Sequence, residues 1–349
     1  MLYFKDALLE KLVVHEVGNK IQEDDLFLSQ GLLELKDEIL YDMLKKYFLK
    51  PFKTEEFFQF QHNADLEMNE VYNYASKIFE NTENFYEEST KVARHLFDCC
   101  EHPNIKSGEL YMAYINDVKI GDDFVECVGL FKSENKDSFL KVYPTDDNIE
   151  LGYDKGVNIN KLDKGCLIFN MEKEDGYRVC IMDAVTKSSD TARYWKHDFL
   201  NVKPREDTFF HTVNYMDMCK GFCDDVFNEA NNVEKSDQIL MMDKSNSYFT
   251  NHDNFNIKEF EEEVIQEPEV IGAFHEYKDE FAKKTDTHMY DEFDISEPAV
   301  KGQQKNFKNI IKLDKRFHVY VHGGHEHMER GFDEERQMKY YKLFYDGEA

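Results

Sequence analysis

The spacing of apolar residues divides the chain into three stretches, of which the first is mainly helical. Alternation over residues 12–17 predicts a short strand that Gly18 and Asn19 close. Apolar residues then recur at helical spacing over residues 37–48, 66–79 and 83–100, and Pro51 follows the first of these segments. The N-terminal part is therefore expected to contain three helices after a strand.

After Pro103, the pattern changes to the two-residue period of strands. Strands are predicted over residues 110–115, 124–131, 139–143, 166–169 and 177–182, because turn-forming residues separate these runs. Short connections favour an antiparallel β-meander, in which segments 124–131 and 139–143 form a hairpin with its tip at residues 133–138. Truncating Phe131 or Leu140 in this hairpin is expected to destabilise the fold.

From His211 onward the helical period returns. Helices are predicted over residues 214–227, 235–249, 257–265 and 270–281, and Ser296, Glu297 and Pro298 begin another helix that should end near residue 309. Strands are predicted over residues 310–313, 317–322 and 340–345.

These patterns predict an α+β protein with N-terminal helices and a central antiparallel β-meander, followed by a helical segment that ends in a small β-hairpin unit. The expected domains are an α+β domain with an antiparallel sheet over residues 1–208 and a mainly helical region with a C-terminal β-hairpin over residues 209–349. The change of period near Phe209 sets this boundary.

Charge restricts the partners that the protein can have. Acidic residues number 71 and basic residues 43, which gives a net charge of -28. Such a chain repels phosphate, so nucleic-acid binding would need a local basic patch. No apolar run approaches the ~18 residues that span a bilayer, no export signal is visible at the N-terminus, and the seven cysteines show no pairing pattern. We therefore expect a cytoplasmic protein without a membrane partner.

Two groups of basic residues are candidate DNA contacts. The first lies on the predicted meander and comprises Lys132, Lys136, Lys141, Lys161 and Lys164; the second lies near the C-terminus and comprises Lys301, Lys305, Lys308, Lys312, Lys315 and Arg316. The first three lysines of the second group step by four and three residues, so they share one face of the predicted helix. A lysine stripe can follow phosphates, although such stripes are also typical of solvated helix faces.

Histidines cluster near the C-terminus. His318, His322, His325 and His327 surround a Gly-Gly pair, and four imidazoles could bind Zn²⁺ or Ni²⁺. A polar hairpin with a histidine-rich tip explains the same pattern, and we favour it. No metal site and no cofactor are therefore predicted.

A nuclease site is a further alternative. Asp122 and Asp123 precede one predicted strand, and Glu134 and Lys136 follow it, which are the residue types that hold Mg²⁺ beside a lysine in nucleases. Glu134 and Lys136 are, however, expected in a mobile, solvated turn. No catalytic residue is therefore predicted, and the protein is not expected to be an enzyme.

Five segments carry a more specific pattern than any single motif. They are residues 15–20 (HEVGNK), 128–142 (VGLFKSENKDSFLKV), 156–169 (GVNINKLDKGCLIF), 194–195 (YW) with 198–200 (DFL), and 310–323 (IIKLDKRFHVYVHG). Together they resemble the bacterial nucleoid-associated protein family of the NdpA/YejK type, in its Bacteroidetes-like branch. The resemblance implies a cytoplasmic bacterial protein that is found with the nucleoid and credited with DNA association, and it supplies no catalytic residue.

The predicted function is accordingly that of a non-catalytic nucleoid-associated protein, which binds DNA independently of sequence, or lies close to it, through local lysine patches. One alternative is an acidic interaction module that docks on a basic nucleoid partner such as a topoisomerase. The second alternative is the metal-dependent nuclease. Whether DNA contact is direct, and which oligomeric state the protein adopts, stay open at this point.

Overall fold

The chain divides into two units, Met1–Arg205 (unit 1) and Glu206–Ala349 (unit 2). The computed structural model describes residues 2–53, 55–184, 193–307, 309–313, 316–321 and 327–347. In chain order, the main elements of unit 1 are β1 (Leu2–Tyr3), β2 (Leu8–Val17), β3 (Leu26–Phe27), α1 (Glu38–Leu49), β4 (Phe57–Phe60), α2 (Glu70–Glu80), α3 (Phe85–Cys99), β5 (Gly108–Ile120), β6 (Asp123–Ser133), β7 (Lys136–Pro144), β8 (Ile149–Val157), β9 (Lys164–Phe169), β10 (Arg178–Asp183), a π-helical turn (Tyr194–Phe199) and β11 (Val202–Pro204).

Unit 1 is built on a nine-stranded antiparallel sheet. Its strand order is β11-β4-β10-β9-β6-β5-β2-β3, and β1 pairs with one end of β5. Helices α2 and α3 and the π-helical turn pack on one face, and the end of α1 packs on the other. Because both faces are covered, the central strands are apolar at consecutive positions, and all six residues of β9 are buried.

The predicted meander is confirmed in part and corrected in one place. Strands β5, β6, β9 and β10 are sheet neighbours, as a meander requires. Strand β7, however, pairs with β8 in a separate two-stranded ribbon, so the predicted hairpin of segments 124–131 and 139–143 is wrong. The alternation in β7 predicted a strand but could not identify its partner, because segment 149–157 was not recognised as a strand. On this ribbon Leu140 is 75% exposed and is not a core residue.

Unit 2 is mainly helical. In chain order it contains α4 (Thr208–Asp225), α5 (Lys235–Asn251), β12 (Asn254–Asn256), α6 (Ile257–Phe260) with a π-helical turn (Glu261–Ile265), α7 (Pro268–Thr285), β13 (Glu292–Asp294), α8 (Glu297–Gln303), β14 (Asn309–Leu313), β15 (Phe317–Val321), β16 (Met328–Asp333) and β17 (Met338–Leu343). Stacked aromatic residues form its core, with Phe255 in contact with Tyr215, Phe249 and Phe260.

Two details of unit 2 differ from the prediction. Helix α8 ends at Gln303 and a tighter 3-10 turn, Gln304–Phe307, follows it, so the helix does not reach residue 309. The C-terminal strands form two hairpins, β14–β15 and β16–β17, and the sequence pattern missed β16. The α+β class is nevertheless confirmed.

The HEVGNK segment has a structural role at the end of β2. A Cβ atom on Gly18 would lie 2.4 Å from the carbonyl oxygen of Asp25, so no larger residue fits there. The buried amide of Asn19 donates to the carbonyl oxygen of Ile105 at 2.6 Å, and its oxygen accepts from the backbone nitrogen of Ile21 at 2.8 Å. The segment therefore fastens the end of β2 to the loop before β5.

His15 is held as a neutral imidazole in the same segment. Its Nδ1 atom accepts a hydrogen bond from the backbone nitrogen of Ser29, so Nε2 carries the hydrogen and donates to Oγ of Ser89 at 3.1 Å. The ring is 1% exposed, and this burial lowers the pKa of His15 to about 4, below its usual 6.5. Folding therefore favours the uncharged ring.

Acid is expected to destabilise the protein through His15. Between about pH 6.5 and pH 4 the unfolded chain binds a proton that the folded chain does not, so stability is lost as the pH falls. Over this window, the free energy of unfolding of the unmodified protein should decrease by about 3 kcal/mol more than that of a His15→Gln variant. Urea denaturation at a series of pH values measures the difference, and parallel curves for the two proteins would contradict it.

The structure also describes the state of the cysteines and the apolar character of the helices. All seven cysteines are free thiols, and Cys99 alone among them is not fully buried. Within the described part of the chain, we find no helix with the length and apolar character needed to cross a bilayer.

Candidate nucleic-acid interface

Two of the predicted DNA-contacting lysines lie inside unit 1. Lys132 on β6 and Lys164 on β9 are 0% and 1% exposed. Their ammonium groups have no access to a phosphate in this fold, which corrects the interpretation of the meander lysines as a surface patch. Both were assigned to the surface because lysine is almost never fully buried unless it is paired.

The two buried lysines meet at one aromatic ring. The Nζ atoms of Lys132 and Lys164 lie 5.3 and 5.1 Å from the ring centroid of Tyr194. Lys132 also donates to the carbonyl oxygen of Lys106 at 2.8 Å. Lys164 forms an ion pair with Asp183, with both carboxylate oxygens within 3.0 Å. Each charge is thus compensated, as burial of an ammonium group requires.

Glu134 completes this buried cluster. Its carboxylate lies 3.2 Å from Nζ of Lys132 and accepts a hydrogen bond of 2.5 Å from the hydroxyl of Tyr194. Burial raises the pKa of Tyr194 well above its usual range, and the carboxylate of Glu134 raises it further. Glu134 is therefore fixed and 7% exposed, not mobile and solvated as expected.

The cluster joins three of the five segments that carry the family resemblance. Lys132 and Glu134 belong to segment 128–142, Lys164 belongs to segment 156–169, and Tyr194 begins the YW pair. Asp163 adds a link, because its carboxylate accepts from the backbone nitrogens of Glu134 and Asn135 at 2.7 and 3.0 Å. These segments therefore meet in a buried polar cluster inside unit 1.

The residues of the nuclease alternative are not brought together. Asp123 begins β6, which has 11 residues, and Glu134 follows its last residue. At the rise of a β-strand, the two residues are roughly 35 Å apart along the strand. Lys136 forms an ion pair of 2.5 Å with Glu109. This set cannot hold one metal ion between its members.

The other lysines that were predicted to contact DNA differ in whether an acidic side chain already pairs with them. Lys141 pairs with Asp154 at 2.7 Å, and Lys301 pairs with Glu297 at 2.5 Å. Lys305 is exposed but lies in the 3-10 turn after α8, so the predicted single helical face is interrupted there. Lys161 is exposed on the loop before β9.

Several predicted positions lie outside the described part of the chain. Lys308, Lys315, His322 and His325 are not described, nor are the side chains of Lys312 and His318. Arg316 and His327 are exposed. The C-terminal lysines and the four-histidine cluster therefore stay predictions.

A basic surface that was not predicted from the sequence surrounds the end of α1. Asp37 caps the start of this helix by accepting from the backbone nitrogen of Leu40 at 3.0 Å, which places Lys45 and Lys46 in the later turns. Lys50 follows the last residue, one helical turn after Lys46, so the two side chains share a face. Cations are favoured there because the C-terminal end of a helix carries partial negative charge.

Two adjacent clefts give this surface its extent. One cleft, of about 390 Å³, includes Lys46, Lys50, Lys53, Lys161 and Asp163 in its lining. The other, of about 370 Å³, includes Lys5, Asp42, Lys45, Lys46 and Lys50. The clefts share two lysines, so they form one continuous region, which we call the α1 lysine surface: Lys5, Lys45, Lys46, Lys50, Lys53 and Lys161.

The lysines of this surface are available to an external anion. None of the six forms an ion pair with an acid in the described ranges, although Nζ of Lys45 donates to the carbonyl oxygen of Lys5. Of the two acids in the clefts, Asp163 is already bound to the backbone of residues 134 and 135. The surface therefore carries net positive charge on a protein of net charge -28.

A sequence signal for this surface existed but was weak. Four lysines fall between positions 45 and 53, in a stretch that was interpreted only as the end of a helix. Lys5 and Lys161 are distant in sequence and join them only through the fold. Of the eleven residues predicted to contact DNA, Lys161 belongs to this surface.

The comparison with known families agrees with the sequence resemblance. A family model described as nucleoid-associated protein YejK matches residues 13–338. This range includes all five segments named above and extends through both units. Among curated proteins, none shows a significant match to the chain. Because the match covers nearly the whole chain, the protein belongs to the family of the nucleoid-associated protein YejK.

Proposed function

We propose that this protein associates with DNA in the bacterial nucleoid, without catalysis and independently of sequence, through the α1 lysine surface. The family membership supports the nucleoid-associated role. The observation that supports the DNA contact is a group of six lysines around two joined clefts. These lysines form no ion pair with an acid in the described part of the chain. Free lysines on an acidic protein are the feature that a phosphate backbone can recognise.

The form of the surface explains why binding would not depend on sequence. Lysine ammonium groups contact phosphates as point charges and carry no information about the bases. The repulsion of the remaining acidic surface limits the affinity, and the lysine–phosphate contacts weaken as the salt concentration rises. The expected contact is therefore weak, reversible and confined to this face of unit 1.

Removing three of these charges should change the salt dependence of binding. For a Lys46→Gln/Lys50→Gln/Lys53→Gln variant, we expect weaker binding to all DNA sequences alike. The slope of log K against log salt should decrease in magnitude by about three, because each phosphate contact contributes roughly 0.9. Fluorescence anisotropy with a labelled duplex at several salt concentrations measures this slope, and the DNA should be recovered intact from the same mixtures in Mg²⁺.

A matched control separates local contact from overall charge. Lys20, Lys36 and Lys173 are surface lysines of unit 1 that pair with Asp98, Glu34 and Glu80. Replacing these three by Gln changes the net charge equally and should leave the slope unchanged. Equal slopes for both triple variants would remove the α1 lysine surface from the proposal.

A second candidate function rests on the acidity of unit 2. Residues 211–349 contain 30 acidic and 17 basic residues, a composition that suits a basic protein partner better than DNA. In that case the protein would reach the nucleoid through a DNA-bound basic protein. Pure protein that binds no DNA at low salt, but binds once a basic DNA-coating protein is added, would favour this second function.

A further inference from the structure

A group of potential metal ligands lies in unit 2, where α5 ends and α6 begins. His252 is the first residue after α5, Glu259 lies on α6, and Glu263 lies on the π-helical turn that continues α6. One ligand atom from each of the three lies within 4.8 Å of the other two. The proposed DNA contact does not use any of them.

The hydrogen bonds of His252 determine which of its nitrogens is available. Its Nδ1 atom lies 3.0 Å from the carbonyl oxygen of Tyr248. Because a carbonyl oxygen only accepts, Nδ1 carries the hydrogen, and Nε2 of the neutral ring has a free lone pair. Nε2 faces Oε2 of Glu263 at 3.5 Å. Two acceptors that face each other repel, and a metal ion between them would replace this repulsion by two attractive contacts.

The positions of Glu259 and Tyr248 favour a metal ion over a proton between His252 and Glu263. A proton would bridge only the imidazole and one carboxylate, whereas an ion engages all three ligands. Tyr248 is 3% exposed, its ring stacks on that of His252 at 4.1 Å, and its hydroxyl donates to Oε2 of Glu259 at 2.9 Å. One buried tyrosine thus orients two of the three ligands, as residues behind the ligands of metal sites do.

We propose that His252, Glu259 and Glu263 bind Zn²⁺, or a related transition-metal dication, with water in the remaining position. The imidazole favours such ions over Mg²⁺ and Ca²⁺, which prefer oxygen ligands. The two carboxylates neutralise the charge of the ion. Ligand atoms around tetrahedral zinc lie about 3.3 Å apart, which the pair of His252 and Glu263 already approaches. The ion would fasten the end of α5 to α6.

The number of zinc ions bound by the full-length protein tests this site. After EDTA treatment, titration with ZnCl₂ in a calorimeter should show one equivalent fewer for His252→Gln and for Glu263→Gln than for the unmodified protein. The difference is the relevant quantity, because other histidines and cysteines can also bind zinc. Tyr248→Phe should keep the number of sites and weaken this one by about 10- to 100-fold.

His275 supplies the matched control. It pairs with Glu261 at 2.8 Å in the same unit, yet it is not part of the three-ligand group. His275→Gln should therefore bind as many zinc ions as the unmodified protein. Circular dichroism without metal verifies that each variant is folded. A full zinc count and unchanged affinity in His252→Gln would mean that only a proton bridges the pair, and displacement of zinc by millimolar MgCl₂ would refute the choice of ion.

Discussion

Replacing Lys132 by methionine is expected to destabilise unit 1 by about 3 to 5 kcal/mol, because it leaves a buried carboxylate without its cation. Glu134 is 7% exposed and lies 3.2 Å from the lost ammonium group. The carbonyl oxygen of Lys106 would also lose its donor. Urea denaturation followed by Trp195 fluorescence measures the loss, since this is the only tryptophan and it is buried in unit 1.

A second substitution identifies the cause of that loss. In Lys132→Met/Glu134→Gln the uncompensated charge is gone, so part of the stability should return, and the two effects should couple by more than about 1 kcal/mol. Lys136→Met serves as the control, because the ion pair of Lys136 with Glu109 is 47% exposed on the lysine side. An exposed pair contributes about 1 kcal/mol or less. Equal losses for Lys132→Met and Lys136→Met would mean that water reaches the cluster.

Truncating Phe131 to alanine is expected to cost about 3 to 5 kcal/mol in the free energy of unfolding. Its ring is 0% exposed and stacks on that of Phe48 with 4.3 Å between centroids. Phe52 contacts the same ring edge-on at 6.3 Å. The substitution therefore opens a cavity between the sheet and α1. The same urea denaturation, followed by Trp195 fluorescence, measures the loss.

Leu140→Ala is the matched control for this cavity. The alternation of the sequence predicted a similar loss for both positions, but Leu140 lies on the β7–β8 ribbon and is largely exposed. A change at such a site is expected to be within about 0.5 kcal/mol. A large loss of stability for Leu140→Ala at low protein concentration would mean that the ribbon packs against the rest of unit 1, which would contradict the exposure of Leu140.

The contrast between Phe131 and Leu140 shows what alternation can predict. Both residues occur in runs with the period of a strand, and both segments are strands. The period reports which residues share a face, but it does not report what covers that face. Strand β6 is central in a sheet covered on both sides, whereas β7 has a single partner strand.

The candidate DNA contacts show the same limit for charge. Lys132, Lys164 and Lys161 lie within one part of the sequence and were predicted to act together. Tertiary structure buries the first two beside Tyr194 and exposes the third. The residues that compensate a buried lysine come from distant segments, so local sequence carries no sign of its burial. For the same reason, the neighbours of Lys161 on the α1 lysine surface were missed.

The amino-acid sequence was sufficient to predict the α+β class, the positions of most helices and strands, and the family. These follow from local periodicity, composition and extended segments, all of which are properties of the chain in order. The folded chain was needed to show which strands pair, which lysines reach solvent, and that Lys5 and Lys161 lie beside the end of α1. Such features depend on contacts between residues far apart in the chain, where the energy of burial and of charge compensation is set by the assembled neighbours and not by the residue type.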